Sequence, residues 1–248
     1  MPEALQAGGW GLLAGSALLL GAVVGWYTRV PRWVNASVMA FGAGVLLSAA
    51  AFELIGKAHE RGGVLPTSIG AAGGAVAYTL ANIGLARRGA RHRKRSGRQP
   101  SEREKPGSGS AIAVGAVLDG VPESVVIGAS LLAGGTVSVI TVVAVFLSNV
   151  PEGLSSAAGM RGAGRSARFV FLLWSGIALL SGVASLGGRV LLAGASPAVL
   201  AAITALAAGA ILAMITDTMV PEAFEDAHLL VGLITVAGFL TAYALSHV

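Results

Sequence analysis

The sequence predicts an all-α integral membrane protein of eight transmembrane helices. Three observations lead there. Of 248 residues, 54% are hydrophobic and only 12% charged, about half the charge of a soluble domain. Glycine, at 36 residues, suits helices that pack closely in lipid. The apolar residues fall into runs of the roughly 20 needed to cross a bilayer, and eight such runs occur at about 10–28, 34–56, 64–86, 110–133, 136–159, 169–192, 197–220 and 228–246.

The first run follows an N-terminus without basic residues, Met1 to Gly9, so it is expected to be a retained span and not a cleaved signal peptide. The chain divides into spans 1–3 (1–86), a loop (87–109) and spans 4–8 (110–248), together one domain. The loop reads RRGARHRKRSGRQPSEREKPGSG. Being basic, Ser/Gly/Pro-rich and nearly free of apolar residues, it is expected to be a disordered linker that sets topology. The formal charge of +5 is carried between apolar runs, so it indicates the membrane surface and not nucleic acid.

With the N-terminus outside, inner loops hold fourteen of the seventeen Lys and Arg: Arg29 and Arg32, nine between Arg87 and Lys105, and Arg161, Arg165 and Arg168. Lys57, Arg61 and Arg189 are outer. The positive-inside rule then places both termini outside and the long loop in the cytoplasm, in a multi-pass protein of the plasma membrane. Phe41 to Leu47 in the second span resembles Leu206 to Leu212 in the seventh. These spans run in opposite directions, so the expectation is an inverted repeat of spans 1–3 and 6–8 around a central pair, spans 4 and 5.

The chemistry lies in that pair. Span 4 contains Asp119-Gly-Val-Pro-Glu123 and span 5 contains Ser148-Asn149-Val-Pro-Glu152. Each buried carboxylate costs on the order of 3 kcal/mol to insert. No Lys, Arg or His lies between Ser110 and Met160, and no other span offers one at mid-depth. The acids are therefore expected to be protonated, hydrated or neutralised by a bound cation. A divalent cation is favoured because it cancels two charges. Asp119 and Glu123 are i,i+4 and share a helix face, as do Ser148 and Glu152. Pro122 and Pro151 free the carbonyls of Leu118 and Leu147, adding oxygens that could face a cation.

DGVPESVVIG and SNVPEGLSSA resemble the paired signatures of the ZIP family of metal transporters, and Asp217-Thr-Met-Val-Pro-Glu222 is similar to the end of its seventh span. The resemblance implies eight spans and a metal site bridged by Glu123 and Glu152. Asp119 stands where the family has histidine, Ser148 at its His/Gln position, and Asn149 at a polar ligand. Gly120 and Ser185 stand where the family has Asn and Glu, which argues against a binuclear site. No histidine is in the site, because His59, His92, His228 and His247 lie in loops or at span ends. An all-oxygen set favours Mn²⁺, Fe²⁺ or Mg²⁺, and zinc or cadmium is also compatible with carboxylates.

The expected metal ligands are thus Asp119, Glu123, Ser148, Asn149 and Glu152, with Ser185, Glu53, Asp217 and Glu222 as outlying candidates. Glu53 would mark the outer mouth; Asp217, Glu222, Glu225, Asp226 and His228 the inner one. The metal would be cargo, with no cofactor; the other partners are the bilayer and, where the assembly is a homodimer, a second copy. An intramembrane protease is disfavoured, since Ser148 has no mid-span His or Lys partner and no His-Glu-x-x-His occurs. The alternative is a proton-coupled carrier of a small solute using the same acids.

Overall fold

A computed structural model describes residues 2–94, 99–133 and 138–246. Among them every regular element is helical. The helices are α1 (Glu3–Tyr27), α2 (Arg32–Ser48), α3 (Lys57–Gly62), α4 (Val64–Leu85), α5 (Ser108–Ser130), α6 (Val139–Gly162), α7 (Ala167–Leu191), α8 (Pro197–Met214), α9 (Val220–Ala227) and α10 (Val231–Leu245). The predicted start of the fifth span, the centre of the basic loop and His247 lie outside the described residues.

Among the described residues, seven helices are long and apolar enough to cross a membrane. The last, Pro197–Leu245, has 49 residues, roughly 74 Å at helical rise and more than twice the hydrocarbon core. It is not straight. π-Helical residues Ile215–Met219 join α8 to α9, and His228, with φ 48°, ends α9 before α10. A comparable π-helical stretch, Ala49–Gly56, continues α2 into α3.

The helices form two groups. In the first, α1 runs parallel to α6, with Gly21 against Val150 and Gly25 against Leu154, and antiparallel to α7, with Gly8 near Leu186 and Gly15 near Ala178. α5 runs parallel to α7: Gly120 faces Ile177 and Gly128 faces Ser185. In the second group α4 runs parallel to α8, with Gly70 near Ala202 and Gly74 near Leu206. α10 pairs with α2, where Gly44 lies on Thr235, and with its π-helical continuation, where Phe52 meets Phe239 and Tyr243. α2 packs on α6 and α5 on α8, joining the groups.

Small residues make these approaches possible. A Cβ at Gly153 would lie 2.1 Å from the Leu18 carbonyl oxygen, inside any allowed contact. Gly153→Val should therefore force α1 and α6 apart at a cost of about 1–3 kcal/mol or more. The check is the yield of monodisperse protein in detergent, with Gly176→Val, which meets nothing within 4 Å, as control. Equal yields would contradict this packing.

Candidate functional site

Pro122 and Pro151 each sit inside a continuous helix, α5 and α6. Asp119 and Glu123 are buried on α5, and Ser148, Asn149 and Glu152 on α6. The structure brings three of the five expected ligands together. Asp119 and Glu152 share one ammonium group: the Lys94 Nζ lies 2.8 Å from Glu152 and 3.3 Å from Asp119. Glu123 is 3% exposed. Among the described residues it has no hydrogen-bond or ion-pair partner, although Pro122 and the i,i+4 spacing keep it beside Asp119.

The expectation that these acids lack a basic partner is therefore wrong. Arg93 and Lys94 supply the charge, and they come from the basic loop and not from a span. The guanidinium of Arg93 donates from Nε to Asp119 Oδ2 at 3.0 Å and from Nη2 to Oδ1 at 2.9 Å. It also donates to Tyr78 Oη and Asn82 Oδ1, each at 2.8 Å. Tyr78 in turn donates to Asp119 Oδ1 at 2.8 Å.

The reading of the loop as a disordered linker fails for the same residues. Arg93, Lys94 and Gln99 are buried. Gly89, at φ 102°, adopts a left-handed backbone that glycine tolerates best, and it turns the chain back beside α4. Arg93 thus meets Asn82 and Tyr78 about two and three turns before Ala90. Gly115 makes room, since a Cβ there would lie 2.5 Å from Arg93 Cδ. Gln99 donates to the Arg93 carbonyl at 2.9 Å and to the Ser156 carbonyl on α6 at 3.3 Å. Further along, Glu102 accepts from the N–H groups of Gly109 at 3.1 Å and Gly107 at 2.7 Å. These bonds, the Gly109 contact foremost, hold its carboxyl below the ordinary value. Arg165 bonds Ser108 Oγ at 2.8 Å and reaches Glu102 at 3.3 Å.

The remaining candidates lie elsewhere or serve other contacts. Ser148 donates to the Val145 carbonyl within α6, and Asn149 donates to the Ala14 carbonyl, tying α6 to α1. Ser185 donates to the Ala7 carbonyl, which spends its hydroxyl proton on α1. A side chain at Gly120 would face Ile177 and Ser181 of α7. Glu53 accepts from Lys57 and from Ser138 at 3.0 Å. Asp217 is exposed in the π-helical stretch, and Glu222 is buried on α9.

Among the described residues no three His, Cys, Asp or Glu side chains stand close enough to hold a metal ion. What the arrangement forms, among the described residues, is a buried cluster of three acids and two bases, with Glu123 in surplus. Sequence reasoning missed Tyr78, Asn82, Arg93, Lys94, Gln99 and Gly115. Tyr78 and Asn82 carried a signal, being an i,i+4 polar pair in an otherwise apolar span. Arg93 and Lys94 did not stand out from the basic residues around them. No protein-family model matches the chain, and no curated protein matches it.

Proposed function

We propose that this chain is a plasma-membrane transporter of divalent cations of the ZIP type, with Asp119, Glu123 and Glu152 as the core of its cargo site. The observation that carries the reading is Glu123: a carboxyl group 3% exposed, on a proline-containing helix, unpartnered among the described residues and next to two further acids. Such a group is expensive in a membrane protein and marks an ion pathway. The other two acids are neutralised from a loop and not from a membrane helix. With the loop displaced, Asp119, Glu123 and Glu152 would be left without a basic partner, and a divalent ion drawing them closer than they stand here would find an oxygen-only set suited to it.

The fold is compatible with this proposal. α8 lies parallel to α4, and α10 parallel to α2, so reading Pro197–Leu245 as two crossings gives eight helices of alternating direction. α2 and α8 run in opposite directions, since α3 lies along the start of α8 and α2 along α9. Their π-helical stretches begin at Ala49 and Ile215, at nearly the same distance beyond the two similar segments. This supports an inverted repeat of spans 1–3 and 6–8.

Uptake of Mn²⁺, Fe²⁺, Mg²⁺, Zn²⁺ and Cd²⁺ into proteoliposomes tests the function. Saturable uptake of at least one ion is expected. Flux of none of them, with proton movement coupled to an organic solute, would instead identify a solute carrier. For topology, Arg29, Arg161 and Arg165 share one end of the bundle with the basic loop, because Arg161 bonds the Trp26 carbonyl and Arg165 the Pro100 carbonyl. The positive-inside rule makes that end cytoplasmic. A single cysteine replacing Ser101 should be unreactive to an impermeant maleimide in intact cells and reactive in inverted vesicles; the opposite pattern reverses the topology.

A further inference from the structure

Asp119 has no acceptor site to spare. A carboxylate offers about four lone-pair positions. Oδ1 accepts from Tyr78 Oη at 2.8 Å and Arg93 Nη2 at 2.9 Å. Oδ2 accepts from Arg93 Nε at 3.0 Å, and Lys94 Nζ lies 3.3 Å away. Glu152 gives Oε2 to Lys94 at 2.8 Å. A cation could coordinate Asp119 only by displacing these donors.

We infer that Arg93 and Lys94 form a tethered cationic plug that competes with a divalent cation for Asp119 and Glu152, so that the loop must withdraw before cargo binds. This rests on the proposed cargo site. The charge balances between the two end states, because two single positive charges leave and one double charge takes their place at Asp119 and Glu152. The seat is built for the purpose. Gly115 leaves space for the Arg93 side chain, Asn82 fixes its Nη1, and Gln99 fastens the Arg93 carbonyl to Ser156 of α6. The plug belongs to the segment between α4 and α5, so it can retreat to solvent without moving a membrane helix. Two mutually exclusive occupants make the loop a regulator of the site, since whatever holds the loop outside favours cargo and whatever seats it opposes cargo.

The test uses the full-length protein in nanodiscs, with Mn²⁺ and Zn²⁺ as probes. The chain contains no cysteine, so a single Ala90→Cys reports on the loop without background and leaves the side-chain bonds of Arg93, Lys94 and Gln99 in place. Ala90 is fully buried, and maleimide labelling of the Ala90→Cys variant should be slow without metal and accelerate when metal is added. Gly115→Val keeps every charge but fills the seat of Arg93. If the plug is seated in about 90–99% of free molecules, unseating it tightens apparent metal affinity about 10- to 100-fold, which calorimetry reads directly. Arg93→Gln/Lys94→Gln should also tighten binding, but through the local field as well as the seat, so the charge-preserving variant and the labelling decide.

Metal binding by the wild type that is lost in Glu152→Gln, with labelling indifferent to metal and Gly115→Val unchanged in affinity, overturns the plug while the cargo site stands. Absence of metal binding in the wild type and in every variant removes the cargo site and the plug with it. Faster labelling with metal together with tighter binding in Gly115→Val establishes the competition.

Discussion

On the proposed function, Glu123→Gln should abolish divalent-cation uptake while leaving the protein folded. Glutamine keeps the size of the side chain and removes its charge. Partners that only support a metal ligand are worth about 10- to 100-fold in affinity, so loss of a central ligand should reduce uptake about a hundredfold or more. No ion pair is broken, because among the described residues none is made to Glu123, so the melting temperature should stay near that of the wild type. Glu152→Gln should lose uptake to the same extent, but it also takes the 2.8 Å partner from Lys94 and should lower the melting temperature. The measurement is initial uptake of Mn²⁺ and Zn²⁺ in proteoliposomes beside a thermal melt of each variant. Wild-type uptake in Glu123→Gln would exclude that carboxylate from the site.

Asp119→Asn should destabilise the protein strongly. Arg93 is 2% exposed and spends two of its donors on Asp119, so the substitution strands a buried guanidinium. Removing one partner of a buried pair costs about 3–5 kcal/mol, which for a chain of this size corresponds to a fall of roughly 6–20 °C in melting temperature. Arg93→Gln, the complementary change, strands the carboxylate. The double variant removes both charges together, so its loss should be smaller than the sum of the single losses by about 1–3 kcal/mol. Strict additivity in this cycle would show that the pair contributes no coupling and that the cluster is held by other contacts. Divalent metal should restore part of the stability lost in Arg93→Gln, because a cation then takes the place of the missing guanidinium.

The candidate site was legible in part. A carboxylate in an apolar run stands out wherever it occurs, and the i,i+4 spacing with a proline beside each glutamate fixed which faces of α5 and α6 carry the acids. Asn149 and Ser185 were legible as polar residues but not as to partner. A side-chain amide or hydroxyl in an apolar helix serves equally well as a ligand or as a fastener to a neighbouring backbone, and here Ala14 and Ala7 of α1 claim them. Sequence spacing describes one helix at a time and says nothing about which helix lies opposite.

Composition and hydrophobic run length by themselves determined that this is a helical protein of membrane-crossing segments, because burial in lipid demands apolar side chains and internally satisfied backbones over a fixed length. They also determined that three acids lie inside it. Only the tertiary structure decided what neutralises those acids. Arg93 and Lys94 belong to a stretch whose polarity reads as solvated, and local composition favours that reading. What overrides it is a long-range electrostatic demand: two of the three buried acids on α5 and α6, Asp119 and Glu152, draw Arg93 and Lys94 out of the basic loop, across a glycine turn at Gly89 and into a space left by Gly115. The contacts between Arg93 and Asp119, 26 residues apart, and between Lys94 and Glu152, 58 residues apart, exist only once the helices have packed, and the physics that selects them acts through space and not along the chain.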